Sequence, residues 1–164
     1  MTPPAVSVPA TGRITAGSVS FPLPDGWQHR PPSSAMRLAE AFVPGDAGGT
    51  GECALAFFSF GGTVEQNIER WRGMVLDAEG NPASTPSVKR EVSGLTVHTV
   101  EFVGTYEDGM PGGPRTKRPD WMFRGAVIET SPQPTFIRMT GPRAAMEKTA
   151  PGWEALIAGA TPHP

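Results

Sequence analysis

A chain of 164 residues, 38% hydrophobic and 18% charged with a formal net charge of −2, is sized for one domain burying roughly 70% of its unfolded surface. Acidic and basic residues are mixed along it, without the basic footprint of a nucleic-acid binder, and no apolar run approaches the roughly 18 residues of a transmembrane segment. The single cysteine, Cys53, excludes an internal disulfide and has no metal-ligand spacing around it, so it reads as a small core residue rather than a nucleophile.

The 20 glycines and 19 prolines cluster at the N-terminus, at 44–51, at 80–86 and at 109–119. They leave apolar segments intact between them, the pattern of a folded domain with long loops. Met1–Gly17 has neither a charged n-region nor an apolar h-region, and its Pro/Thr/Ala/Val composition suggests a flexible tail. Such a tail resembles the tether left on exported bacterial proteins after a signal or lipid anchor is removed. A cytoplasmic protein with a loose tail reads the same way, so an extracytoplasmic location is the expectation and a cytoplasmic one stays open. A single domain is expected over 18–159, with a disordered end at 160–164.

In chain order, Ser18–Leu23 alternates and then meets Pro22 and Pro24, as a short edge strand does. Pro24-Asp25-Gly26 is a turn, and Trp27 after it is placed to cap one end of the core. Ala35–Val43 is ambiguous: its residues favour helix and Ser34 could cap one, yet Met36, Leu38, Glu40 and Phe42 alternate. Gly45–Gly51 reads as a hairpin loop. Cys53–Phe60 is apolar on both sides, Cys53, Leu55 and Phe57 against Ala54, Ala56, Phe58 and Phe60, and is predicted to be a central strand covered on each face. Gly61-Gly62 permits a sharp turn, and Thr63-Val64-Glu65-Gln66 matches a capping box. Val64, Ile68, Trp71 and Val75 form one stripe of the helix that follows, which Gly80-Asn81-Pro82 stops. Val88–Val92 and Leu95–Tyr106 are predicted strands turning at Ser93-Gly94. The residues 107–120 form a long loop, of a length that is usually functional or disordered. Trp121–Thr130 and Thr135–Thr140 make a further hairpin. A last helix opens at Gly141-Pro142 with Met146, Ala150, Trp153 and Ile157 on one side, broken by Pro151 into a kink or two short helices. The sum is an α+β chain: a largely antiparallel sheet of about six to seven strands, one helix after the third strand and one at the C-terminus.

Three stretches together, GWQHRPPSSAMRLAEAFVP (26–44), FGGTVEQNIERWRG (60–73) and TFIRMTGPRAAMEKT…WEALI (135–157), resemble a family of uncharacterised bacterial proteins, many exported or lipid-anchored. Their fold is similar to the PsbP-like α/β/α sandwich, seen also in a small nuclear-import factor that binds the GTPase Ran. The resemblance covers about Ser18–Gly159 and implies that 35–43 is a strand. It carries no known activity and hence no catalytic residues. The chain departs from it in having no lipobox cysteine and in the Pro151-Gly152 interruption.

Chemistry is sparse. His29, His98 and His163 have no ligand-type partner at metal spacing. His98 and Glu101 fall on opposite faces of an extended strand. Gly61-Gly62 before a helix lacks the lysine and the longer glycine loop of a nucleotide site. No catalytic, metal or cofactor residues are assigned. The candidate ligand-binding residues are Arg37, Arg124 and Arg138, one in each of three predicted strands. On one face they would make a basic floor for a carboxylate or phosphate; the alternative is cross-strand pairing with Glu40, Glu101 and Glu129. Met110, Arg115, Lys117, Arg118 and Trp121 are candidate partner-docking residues in or beside the long loop. The expected function is a non-enzymatic binding or accessory module for a protein partner or small anionic ligand, the alternative being a small hydrolase-like or ligand-modifying enzyme with a site assembled from distant residues.

Overall fold

The computed structural model describes residues 10–45, 51–59, 61–109 and 113–163. Its elements run β1 (Ala10–Ala16), β2 (Val19–Pro24), β3 (Gln28–Arg30), β4 (Arg37–Val43), β5 (Cys53–Ser59), α1 (Val64–Arg72), β6 (Val75–Leu76), β7 (Val88–Val92), β8 (Leu95–Gly109), β9 (Arg115–Ile128), β10 (Thr135–Pro142), α2 (Arg143–Lys148), α3 (Ala150–Ala158) and β11 (Thr161–Pro162). These strands form two antiparallel sheets. The larger has the order β3-β4-β5-β10-β9-β8-β6, with β7 also on β8, and the smaller has the order β1-β2-β11. The sheet expected from the sequence was of six to seven strands. Strands β1, β3, β6 and β11 are the additions, β1 and β11 forming a second sheet with β2, so α1 follows the fifth strand rather than the third.

Local chemistry explains most of these elements. Ser93 and Gly94 sit at φ 50° and 80°, the pair of left-handed residues that a two-residue hairpin turn needs between Val92 and Leu95. Thr63 and Gln66 form the capping box at the start of α1. That helix stops at Arg72 with Gly73 as its cap, earlier than the apolar stripe suggested, so Val75 belongs to strand β6 and pairs with Tyr106. The ambiguous segment 35–43 is a strand from Arg37 to Val43. The terminal helical region is two short helices meeting at Thr149; Met146, Trp153, Leu156 and Ile157 are buried, while Ala150 faces solvent.

Three expectations are corrected. The N-terminal tail is a strand from Ala10, with Ile14 and Ala16 buried. Arg13 secures it, donating from Nε to Ser20 Oγ at 2.8 Å and from Nη2 to the Gly159 carbonyl and Thr161 Oγ1, each at 3.0 Å. The C-terminal end is ordered on β2 through Thr161 and Pro162, and the His163 amide donates to the Ser18 carbonyl at 2.7 Å. The 107–120 segment is mostly hairpin: Tyr106, Glu107, Asp108 and Gly109 face Arg118, Lys117, Thr116 and Arg115 in register. Met110 lies outside the described residues.

The larger sheet separates two cores. On one side Ala41, Leu55, Met139, Ile137, Ala126 and Ile128 meet β1, β2 and α3 through Ile14, Phe21, Leu156 and Ile157. Trp27 lies here too, its indole beneath Gly152. On the other side α1 packs Ile68 and Trp71 on Val100, Phe102, Phe123, Val127 and Phe136. The Trp71 ring lies 5.5 Å from Phe123 and edge-on to Phe136 at 6.0 Å. Gly125 makes this possible. A Cβ there would lie 2.5 Å from Trp71 Cζ3 and 2.7 Å from Cε3, a clash with a rigid ring. Gly125→Ala is therefore expected to destabilise by about 1–3 kcal/mol, lowering the melting temperature by roughly 2–4 °C per kcal/mol for a chain of this size. An unchanged melting temperature in a calorimetric scan would show that Trp71 does not rest on this position.

Candidate functional site

The same face of the larger sheet carries a hollow beside α1. Strand pairing brings Ala54 beside Thr140 and Ala56 beside Arg138, and the two alanines leave a depression between bulkier neighbours. The depression is a cleft of about 280 Å³. Arg37 of β4, Arg138 of β10, Tyr106 and Asp108 of β8, Arg118 and Trp121 of β9, and Glu52 line it with these floor residues.

The walls are held in different ways. Tyr106 and Trp121 stack at 5.7 Å with their planes 10° apart, and Arg118 lies over the Trp121 ring at 5.5 Å, its Nε 3.6 Å from Asp108 Oδ2. Arg37 Nη1 donates to Glu40 Oε1 at 2.6 Å, and the Ser33 amide donates to the other Glu40 oxygen. Burial raises the Glu40 carboxyl, but these hydrogen bonds and the Arg37 charge outweigh it and leave the group below its ordinary value. Glu52 pairs with Arg30 at 2.7 Å. Arg138 differs from all of these. Its guanidinium lies 5.4 Å from the Phe58 ring centroid, and it makes no hydrogen bond or ion pair among the described residues. Its charge is felt nearby: the Arg70 guanidinium is held below its ordinary value, first by lost hydration and then by Arg138.

The structure thus divides the three arginines expected to form one floor. Arg37 and Arg138 share the cleft face. Arg124 does not, because it pairs in register with Met139 and Glu101, one residue out of phase with Arg138. It is buried under the other core, where Nε donates to Glu101 Oε2 at 3.0 Å and Nη1 to Thr149 Oγ1 at 2.7 Å. Of the cross-strand pairs anticipated as the alternative, Arg124–Glu101 forms, whereas Arg37 pairs with Glu40 within its own strand and Glu129 meets His98 Nε2 at 2.7 Å. The docking set is likewise divided: Arg118 and Trp121 are cleft walls, Lys117 is exposed on the hairpin arm, and Arg115 lies there 4.0 Å from Glu107.

Tyr106, Asp108, Glu52, Thr140 and the two alanines are members of the site that sequence reasoning did not single out. The usable signal was Ala54 and Ala56 alternating on one side of a central strand. Cys53, on the opposite face, is 1% exposed and its thiol is pushed up to about 11, first by burial, so it stays protonated and unreactive. Among the described residues no group of three His, Cys, Asp or Glu side chains is placed to hold a metal ion, and no helix is long and apolar enough to cross a membrane.

No protein-family model and no curated protein matches the chain. Solved structures do. The solution structure of cyanobacterial PsbP (CyanoP) from Synechocystis sp. PCC 6803 matches with a TM-score of 0.56 over 99% of this chain and 98% of that one, at 11% identity. The fold is PsbP-like. LpqN, described as involved in cell envelope biogenesis of Mycobacterium tuberculosis, matches with a TM-score of 0.56 at 12% identity, over 89% of this chain and 83% of that one. A crystal structure from Bacteroides thetaiotaomicron VPI-5482 matches with a TM-score of 0.50 at 11% identity, over 93% of this chain and 49% of that one. At such identities the likeness is one of fold.

Glu40 supplies a check on the wall beneath Arg37. A carboxyl whose folded pKa lies below its unfolded value stabilises the fold above that unfolded value, near 4.5, and loses the contribution as pH falls through the folded one. Glu40→Gln is expected to cost about 2 kcal/mol at pH 7, and the difference from the wild type should shrink as pH falls below 4.5. Urea midpoints across pH 3–7 measure this; a difference that does not change with pH would mean that the Glu40 charge contributes nothing.

Proposed function

We propose that this chain is a non-enzymatic binding or accessory module that holds a small anionic ligand in the cleft beside α1. The observation that carries the reading is Arg138, a guanidinium in a concave site with no acidic partner among the described residues. Guanidinium groups in proteins are ordinarily paired, and a fork of donors facing a hollow suits a carboxylate or phosphate. The cleft's volume, near the lower end of the roughly 300–1,000 Å³ usual for ligand sites, suits a small metabolite rather than an extended chain.

The alternative, a ligand-modifying enzyme, draws on the same convergence of Tyr106, Asp108 and Arg138. Binding is preferred because Asp108 and Glu52 are already engaged by Arg118 and Arg30, and no Ser, Cys or His lines the cleft among the described residues. An extracytoplasmic bacterial setting is part of the proposal. It is supported by the likeness in fold to LpqN, described as involved in cell envelope biogenesis; fold analogy alone assigns no role.

Titration calorimetry with short carboxylates and inorganic phosphate tests the reading. At least one anion should bind, and Arg138→Gln should weaken it roughly tenfold or more, while Lys117→Gln on the exposed arm leaves it unchanged. Absence of any anion binding, or equal binding by Arg138→Gln, sinks the proposal.

A further inference from the structure

Tyr106 adds a second, independent pointer to what the cleft holds. It is 3% exposed and lines the cleft, yet its hydroxyl makes no hydrogen bond to the described residues and is not sealed from solvent. A buried phenol normally satisfies its O–H. Tyr106 and Arg138 line the same hollow. Resting on the anion-binding reading above, we infer that the ligand is a small monocarboxylate, gripped between the Arg138 guanidinium and the Tyr106 hydroxyl, with a short apolar portion over Ala54 and Ala56.

Three features select this chemistry. The first is donor geometry: a guanidinium fork and one O–H supply charge-assisted donors for the two oxygens of a carboxylate. Tyr106 is held in its donor form, since burial raises its pKa and exceeds the opposing charge of Arg138, with Asp108 raising it further. The second is charge balance. Arg37, Arg118 and Arg138 line the cleft together with Glu52 and Asp108, leaving one formal positive charge in excess. One negative charge neutralises it, whereas a phosphate dianion would leave a surplus facing two carboxylates. The third is the floor, where the Ala54 and Ala56 methyl groups offer apolar contact to the body of the ligand and Thr140 beside Ala54 is the one hydroxyl.

Calorimetric titration of the full chain with butyrate, butyramide and inorganic phosphate tests this, together with Tyr106→Phe, which keeps the ring against Trp121 and removes only the hydroxyl. Butyrate should bind at least tenfold more tightly than butyramide and more tightly than phosphate, and Tyr106→Phe should weaken butyrate roughly tenfold. Equal butyrate affinity in Tyr106→Phe, or phosphate binding tighter than butyrate in the wild type, overturns the monocarboxylate assignment while anion binding at Arg138 stands. If neither anion binds, both readings fall. The wild-type comparison needs no variant, so a Tyr106→Phe protein that failed to fold would still leave the assignment open to refutation.

Discussion

The contact of the Trp71 ring with the bare Cα of Gly125 determines where α1 can sit, and the rest of that face of the sheet follows from it. A nine-residue helix is about 13 Å long. The seven strands along the sheet's main path, spaced about 4.8 Å apart, span roughly 29 Å. One short helix cannot cover that width. With Trp71 seated over β9 and flanked by Phe123 and Phe136, the cover falls on β8, β9 and β10, and the part made by β4 and β5 is left to its own side chains. Those side chains are Ala54 and Ala56 of β5 and Arg37 of β4, joined at the edge of the cover by Arg138 and Thr140 of β10, and both guanidinium groups lie over Phe58. The cleft is what remains of a face that is only partly roofed.

Arg124 and Arg138 show how much a one-residue difference in register decides. They stand on neighbouring strands, in adjacent pairs of the same ladder. One points into the core beneath α2 and α3, where a buried charge must be paired, and it is, by Glu101 and Thr149. The other points to the partly roofed face, where water or a ligand can solvate it, and among the described residues no acid is paired with it. The same residue type is thus a structural tie on one side of the sheet and an open donor on the other.

This parity is also where legibility in the sequence ends. The Thr63–Gln66 capping box, the Ser93-Gly94 turn and the break near Pro151 depend on residues close together in the chain, and all were readable from local chemistry. The strand Arg37–Val43 was not, because its propensities favour helix and pairing with β3 and β5 overrides them. Strand β11 escaped notice because its partner β2 lies at the other end of the chain, and β1, although its partner β2 comes next in sequence, was hidden by a Pro/Thr/Ala/Val composition that reads as a tail. For the cleft, Arg37, Arg138, Arg118 and Trp121 were visible as residues of interest. Their grouping was hidden, since it depends on the phase of β10 against β9 and on Gly104 and Tyr106 flanking a bulge in β8. Tyr106 itself looks in sequence like any aromatic in a β-branched strand.

Both described ends of the chain meet on one strand, β1 along one edge of β2 and β11 along the other. This small sheet lies behind the larger one, on the side away from α1. Ala10 and His163, the first and last described residues, are therefore anchored together on the back of the molecule, across the larger sheet from its arginine-lined hollow.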